Sequence, residues 1–390
     1  MSVRPIYDIV IIGAGPAGLG AGLGLESEAK RCSILLVDRC RPWERRIACA
    51  EAVGRLGFQE AVEVNPAWIR FTVSSACFHS PDGSMVEYAD PNKGYIIDRA
   101  RMQKDMVEQC RAGGVECRFG RRVISVGRPK DGVRTIGLSD GGELGARVVI
   151  DASGPLSRFG WGEEIARKSF DLEPGYFAVV APVTCATDTV HIHVGRDIAP
   201  GGYAWVFPRT EDSVNVGVLV GSKHRQGANI KKLLQRFVKQ TYPRGTVQQR
   251  FAGPIPCGCG PRTIALNRLL KAGDAASTIN PISRAGIVEA LLSGKLAGKA
   301  AGRILAAKND GRKASQACKD YEREWLRARG NRHTKLARVK DSLARVPDED
   351  YNTAARSLAD IPQSELTMSR IFKVSLARFP RLVWALRHLM

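Results

Sequence analysis

Two sets of residues in this chain have types and spacing that suit chemistry. The first is Gly13-Ala14-Gly15-Pro16-Ala17-Gly18, directly after the apolar run Ile9-Val10-Ile11-Ile12. The glycines stand in G-x-G-x-x-G order. Gly13 permits a tight turn, Gly15 lets a pyrophosphate approach the backbone, and Gly18 lets the next helix pack close to the strand. Bare amides at that helix's N-terminus then face phosphate oxygens. Ser33-Ile34-Leu35-Leu36-Val37 reads as the second strand and ends at Asp38. That acid lies about twenty residues past the last glycine, where a ribose-binding carboxylate belongs. The pattern predicts an adenine dinucleotide. A glycine-rich turn in an unrelated α/β protein is the alternative. Asp38 followed by Arg39 does not choose between FAD and NAD.

The second set is Tyr203, Trp205 and Phe207. They alternate, so in a strand their side chains share one face. Three aromatics on one face make an apolar wall with two polar handles. The alternative is plain sheet core. Pro208 is expected to end that strand. His191 and His193 also alternate, but no third ligand is visible, and Cys257-Gly258-Cys259 is C-x-C without paired metal spacing, so no metal site is expected.

These residues need elements to hold them. The 390 residues suffice for two domains and a large core. Ile9–Ile12 and Val148–Ile150 read as strands buried on both faces, and 100–113 as an amphipathic helix stopping at Gly113-Gly114. Trp68–His79 and Met85–Ala89 read as strands joined by Pro81-Asp82-Gly83, and Val115–Val126 with Val133–Leu138 as a hairpin-like pair. Four strands, 177–180, 190–194, 204–207 and 214–220, suggest an antiparallel sheet. The segments 230–242 and 287–305 read as helices. No window reaches the roughly 18 apolar residues of a membrane span, no secretory signal is expected ahead of the first strand, and the ten scattered cysteines suit free thiols in a reducing cytoplasm. The formal charge of +20 suits nucleic acid, anionic membrane or acidic substrates, but no nucleic-acid-binding signature is present.

Several segments together resemble the FAD enzymes of the p-hydroxybenzoate hydroxylase type. These are the glycine fingerprint, Asp98-Arg99 opening a helix, Asp151-Ala152-Ser153-Gly154 and Ala272-Gly273-Asp274-Ala275-Ala276, in that order. More narrowly, the chain resembles the geranylgeranyl reductase family, which includes digeranylgeranylglycerophospholipid reductases. Cys49-Ala50-Glu51 looks like that family's Cys-x-Glu loop, Gly94–Arg99 like its mid-domain signature, and Tyr203-Ala204-Trp205-Val206-Phe207-Pro208 like its Tyr-x-Trp-x-Phe-Pro substrate motif. The resemblance covers roughly residues 7 to 305 and implies an α/β fold. A Rossmann-like FAD-binding domain (1–75, 91–165 and 260–307) is interrupted by an antiparallel β-sheet substrate domain (76–90 and 166–259). A basic helical region, 308–390, follows.

The resemblance implies FAD, with Gly13, Gly15, Ala17, Gly18, Asp38 and Arg39 on its ADP half. Arg99, near Val123, would lie along the cofactor. Asp274 would meet the pyrophosphate-ribitol portion, ahead of a helix starting near Pro281, and Gly286 with Ile287 the flavin end. Tyr203, Trp205, Phe207 and Pro208 would line the substrate. Three positions depart from the family pattern. Arg284 stands where a Gly-rich run is usual, Ala52 where a Gly follows the Cys loop, and Gly217-Val218-Leu219 where Gly-x-Gly is expected.

The implied activity is reduction of isoprenoid C=C bonds on a lipid or prenyl quinone. Such an alkene has no carbonyl to stabilise a carbanion, so hydride to one carbon must be matched by a proton from an acid to the other. Cys49 is the candidate acid, with Glu51 tuning or positioning its loop; a buried structural thiol is the alternative reading. The electron donor is left between NAD(P)H and ferredoxin, so an electron-donor protein is one candidate partner. Between residues 311 and 390 stand 17 Lys and Arg against 9 Asp and Glu. Ile371, Phe372, Phe379, Leu382, Val383, Trp384, Leu386 and Leu389 mix there with Lys373, Arg378, Arg381 and Arg387. That mixture suits a segment lying on anionic lipid at the cytoplasmic face, or a solvated helix packing its stripe on the body. Rival readings are an FAD monooxygenase or halogenase of the same fold, and a non-catalytic flavoprotein that binds prenyl lipid.

Overall fold

The computed structural model describes residues 5–25, 31–44, 48–163, 165, 171–258, 263–308, 310–359, 361, 362, 365 and 366. In chain order the elements are β1 (Ile6–Ile12), α1 (Pro16–Leu23), β2 (Ile34–Asp38), β3 (Ala52–Gly54), α2 (Arg55–Ala61), β4 (Ile69–His79) and β5 (Met85–Ile97). They continue through α3 (Arg99–Ala112), β6 (Glu116–Phe119), β7 (Val123–Val126), β8 (Arg134–Leu138), β9 (Glu143–Asp151), β10 (Leu172–Ala181) and β11 (Thr189–His193). Next come β12 (Tyr203–Thr210), β13 (Ser213–Leu219), α4 (Ile230–Thr241), β14 (Thr246–Pro256), β15 (Ala265–Leu266) and β16 (Leu269–Lys271). The chain closes with α5 (Ile287–Ala306), α6 (Gly311–Trp325), a π-helical turn at Leu326–Gly330, α7 (Asn331–Leu343) and α8 (Asp348–Ala359).

The chain divides into two compact units of three segments each. One holds the described residues of 1–47, 99–170 and 256–334; the other holds those of 48–98, 171–255 and 335–390. In the first unit the sheet order is β15-β16-β9-β1-β2-β6, with β1 pairing in parallel to β2 and β9. Ile9, Val10 and Ile11 are fully buried, as a strand covered on both faces requires. The β7–β8 hairpin joins β9 antiparallel. Helices α1 and α5 cross at backbone distance. A Cβ on Gly294 would stand 2.0 Å from the Ala17 carbonyl oxygen, and one on Gly20 2.5 Å from that of Leu291.

The second unit is one mixed sheet, β14-β10-β13-β12-β11-β4-β5-β3. Alternation along β12 and β13 gives it two apolar faces. On one, Ala204, Val206, Val214, Val216 and Val218 pack with Leu234, Phe237 and Val238 of α4. On the other, Phe177, Val179, Trp205, Leu219 and Phe251 form a second cluster, edged by Tyr203, Phe207 and Ala50.

Several expectations are corrected. Residues 48–75 and 91–98 group with the second unit, because β3, β4 and β5 pair with one another and β4 pairs with β11. The described residues of 308–334 group with the first unit and the described residues from 335 to 366 with the second. The β10–β13 strands are antiparallel neighbours as expected, but β11 meets β4 in parallel. Residues 115–126 form two strands, divided at Gly120, whose φ of +85° turns the chain. β6 joins the parallel sheet beside β2, and only β7 forms the hairpin. Pro208 does not end its strand: β12 runs on to Thr210 with a bulge between them. β12 pairs with β11 only at 204–206, so the missing Pro208 N–H falls beyond that ladder.

Candidate active site

The first unit assembles the fingerprint from backbone. The Gly13 N–H donates to the Val37 carbonyl (2.8 Å), and the Ala14 N–H donates to Asp38 Oδ2 (2.7 Å). Gly13 sits at φ +102°, and a Cβ there would lie 2.5 Å from the Ala152 oxygen. One on Gly18 would lie 1.8 Å from the Gly13 oxygen. Gly15 is the N-cap of α1, with no side-chain cap and no acid in the first turn, so the amides there face outward without a competing carboxylate. The buried Asp38 also accepts from the Cys40 N–H (3.4 Å), and it ends β2, where a ribose-binding carboxylate belongs.

A line of polar contacts runs on from this loop. Gln103 of α3, absent from the sequence-based set, donates to the Ala14 carbonyl (3.3 Å), and the Arg99 Nε donates to Gln103 Oε1 (2.8 Å). Burial pushes the Asp274 carboxyl up to about 6, against the pull of the Arg99 guanidinium. A Cβ on Gly286 would stand 3.7 Å from Asp274 Oδ1, so that glycine and that acid adjoin. Gly286 is the uncapped N-cap of α5, and Ile287 its first, buried residue. That helix starts at 287, not near Pro281; residues 277–286 are loop. Thr278 Oγ1 in that loop is buried without a hydrogen-bond partner among the described residues. A glycine cradle, a helix N-terminus without cap or acid, a carboxylate at the end of β2 and an orphaned hydroxyl fit an adenine dinucleotide with a second polar half.

Other expected cofactor residues have different surroundings. The Ala17 methyl packs where a Gly273 side chain would stand, 2.7 Å away, so it fixes the spacing between α1 and the 273–276 turn. The Val123 side chain lies in the core with Leu138 and Ala146, and Arg39 is exposed. Asp151 is a core residue: it pairs with the fully buried Lys271 (3.0 Å) and accepts from Ser153 and Ser157. Arg284 takes φ +55°, the left-handed region that suits the glycine usual there, and its guanidinium folds back onto the Ile282 carbonyl (2.7 Å).

In the second unit, Tyr203, Trp205 and Phe207 line one face of β12, with successive ring centroids 6.2 and 6.5 Å apart. Gly217 lies opposite Trp205 on β13, and a Cβ there would stand 2.0 Å from the indole Cζ2. The Trp205 Nε1–H donates to Asn215 Oδ1 (2.9 Å), and Asn215 Nδ2 donates to the Cys49 carbonyl (3.2 Å). The Glu51 N–H points at Cys49 Sγ (3.3 Å). Glu51 is 5% exposed, takes φ +62°, and its Oε2 pairs with Arg209 Nη1 at 2.7 Å. The tertiary structure thus joins Cys49 and Glu51 to the aromatic strand. Asn215 and Arg209 were missed. Arg209 shares the alternation of 203, 205 and 207, and that period was the one signal available.

His191 and His193 gain a third imidazole. His79 Nε2 lies 3.0 Å from His191 Nδ1, and the His79 and His193 rings stack at 4.0 Å. Burial lowers His79 to about 4 and His193 to about 3, with the adjacent imidazoles adding to it. Burial also lowers His191, against the Glu87 carboxylate. No metal-binding group occurs among the described residues.

Comparison with known proteins places the chain in a family and a fold. A model described as the geranylgeranyl reductase catalytic domain matches residues 171–253, and one described as lycopene cyclase protein matches 8–173. Digeranylgeranylglycerophospholipid reductase 2 of Methanococcoides burtonii is 30% identical over 98% of this chain and 95% of its own length. The Methanocella arvoryzae digeranylgeranylglycerophospholipid reductase is 28% identical over 97% of each. A geranylgeranyl bacteriochlorophyll reductase-like protein of Thermoplasma acidophilum superposes with a TM-score of 0.88 at 21% identity, covering 100% of both chains. A myxobacterial chondrochloren halogenase, described as FAD-dependent, superposes at 0.69 and 16% identity, over 97% of this chain and 98% of its own. The fold is therefore that of the flavin-dependent reductases and halogenases, in which a dinucleotide-binding unit is interrupted by a β-sheet unit. Within that class, the chain belongs to the geranylgeranyl reductase family that includes the digeranylgeranylglycerophospholipid reductases.

Proposed function

We propose that this protein is an FAD-dependent reductase that saturates C=C bonds of geranylgeranyl-type chains carried on a lipid or prenyl quinone. The observation that carries the reading is the tie between the aromatic row and the Cys49–Glu51 loop through Asn215. It sets a wall suited to an apolar chain beside a thiol that can give a proton. Membership of a reductase family supports the chemistry, and the names of the full-length relatives support the substrate class.

Gly13, Gly15, Gly18 and Asp38 would hold the ADP half in this reading, with Arg99 along the cofactor and Asp274, Gly286 and Ile287 at its flavin end. FAD bound there would supply, in its reduced form, hydride for one alkene carbon. Cys49 gives its proton to the other, and water restores the thiol. Glu51 holds the loop through its N–H to Cys49 Sγ and its pair with Arg209. Tyr203, Trp205, Phe207 and Pro208 bind the prenyl chain. The electron donor is NAD(P)H or a ferredoxin-type protein, told apart by which one supports turnover.

The substrate's lipid character and the +20 charge support work at an anionic, cytoplasmic membrane surface. Among the described residues no helix is long and apolar enough to cross a membrane. The apolar-basic mixture at 371–389 lies outside the described residues. Cosedimentation with anionic liposomes, weakened by salt and by deletion of 366–390, is expected; equal binding to neutral vesicles argues against surface association.

The deciding experiment is anaerobic. Chemically reduced protein is mixed with a digeranylgeranyl glycerophospholipid, flavin absorbance is followed, and the lipid is weighed by mass spectrometry. Flavin reoxidation with a gain of two hydrogens per bond is expected. An unchanged lipid, with a C4a-hydroperoxide spectrum on admitting oxygen, would transfer the protein to the monooxygenase class.

A further inference from the structure

Asn215 stands out on its strand. Ser213, Asn215, Gly217 and Leu219 occupy one face of β13, and the valines 214, 216 and 218 the other. Asn215 is 1% exposed, opposite Phe207 in register. A buried amide is costly unless both of its ends are bonded, and an apolar side chain of similar size would be cheaper there. Here both ends are committed. An indole N–H only donates and a peptide carbonyl only accepts, so the amide has one permitted orientation: oxygen to Trp205, nitrogen to Cys49. Gly217 completes the arrangement, because only a residue without Cβ lets the indole lie across β13 and reach Asn215.

We propose that Asn215 is the positioning residue of the Cys49 thiol, fixing the loop's height above the sheet by tying its carbonyl to the indole of the aromatic wall. The inference rests on the reductase reading for its kinetic consequence, but not for its geometry. Glu51 closes the other end of the same loop: its N–H meets Cys49 Sγ, its carbonyl accepts from the Ile97 N–H (2.9 Å), and its carboxylate meets Arg209. With both ends held, the thiol has one place relative to a chain stacked on Trp205. An acid displaced by about 1 Å loses on the order of 10²-fold in rate.

The test is Asn215→Asp. The variant is isosteric and keeps an acceptor for Trp205, but sets an oxygen against the Cys49 carbonyl. Two readouts are taken on the full chain. One is the rate of Cys49 alkylation by iodoacetamide, read by mass spectrometry of its peptide. The other is single-turnover flavin reoxidation across a range of digeranylgeranyl glycerophospholipid concentrations. Expected are faster alkylation, by about fivefold or more, and a limiting reoxidation rate lowered 10- to 100-fold at an unchanged half-saturating concentration. If Asn215→Asp does not fold, Asn215→Ser removes the amide without adding charge and carries the same expectation. Alkylation and reoxidation both at wild-type rates overturn the proposal, as does a change confined to half-saturation. Wild-type protein that leaves the lipid unreduced, with alkylation still responding to Asn215, overturns the reductase reading and supports the tie.

Discussion

The fingerprint loop at 13–18 and the Cys49–Glu51 loop are both short turns held still, by opposite means. The first is held by its own neighbourhood. Its amides meet Val37 and Asp38 of the adjoining strand, and its shape comes from what the glycines lack. The second is held from far along the chain. Its carbonyl is fixed by a residue 166 positions away and its carboxylate by one 158 away. It also keeps a non-glycine residue, Glu51, at φ +62°, a conformation that costs about 1–2 kcal/mol and persists because its surroundings impose it. A backbone site tolerates almost any sequence around it but no bulk within it. A side-chain site tolerates bulk nearby but not the loss of one partner.

The largest test of that contrast is Gly15→Val. A side chain at the open N-cap of α1 crowds the place of the pyrophosphate, so protein purified without FAD is expected, read as loss of the 450 nm band. A yellow, fully loaded variant would sink the cofactor assignment.

Cys49→Ala comes next and probes the other loop. FAD loading and chemical reduction of the flavin should be unaffected, whereas reoxidation by prenyl substrate should slow by about 10² to 10⁴. Cys49→Ser should restore little, since a hydroxyl is a much weaker acid than a thiol. Wild-type reoxidation in Cys49→Ala would make the thiol structural and move the search for the acid to Glu51, Tyr203 or a bound water.

Gly217→Ala is smaller and sharpens the comparison, being a glycine that serves a side-chain site. Its Cβ would meet the Trp205 indole at 2.0 Å, forcing the ring aside at a cost of about 1–3 kcal/mol. A lower melting temperature with a full complement of FAD is expected; an unshifted melting curve would mean the ring moves freely.

The smallest effect is set by pH at His79, His191 and His193. Unfolded imidazoles titrate near 6.5, about the ordinary value, whereas burial and mutual repulsion hold His79 at about 4 and His193 at about 3. Glu87 opposes the shift at His191, and Phe237 covers His193 edge-on. Between those values the unfolded chain binds more protons than the folded one. The contribution to stability is thus complete above about pH 6.5 and is lost as pH falls toward 4. Melting temperature should drop between pH 7 and pH 5, and drop less in His79→Asn/His193→Asn. Equal drops in both proteins would remove the cluster as the cause.

The difference between the two loops also separates what the sequence by itself determined from what the tertiary structure decided. The placing of Gly13, Gly15, Gly18 and Asp38 around one turn was legible because all four stand within one βαβ unit, where spacing along the chain is spacing in the molecule. The alternation of Tyr203, Trp205 and Phe207 was legible for the same reason, since a strand's period of two is local. Pairing was not legible: β6 and β7 read as one strand until Gly120 turned the chain, and whether β12 can run through Pro208 depends on where β11 stops. Nor were Gln103 and Asn215, since a lone Gln or Asn carries no periodic signal, and for Arg209 the strand's alternation gave the face but not the partner. The partners of all three lie in segments that only folding brings near, and a buried amide or carboxylate takes its meaning from whichever donor or acceptor the fold sets against it.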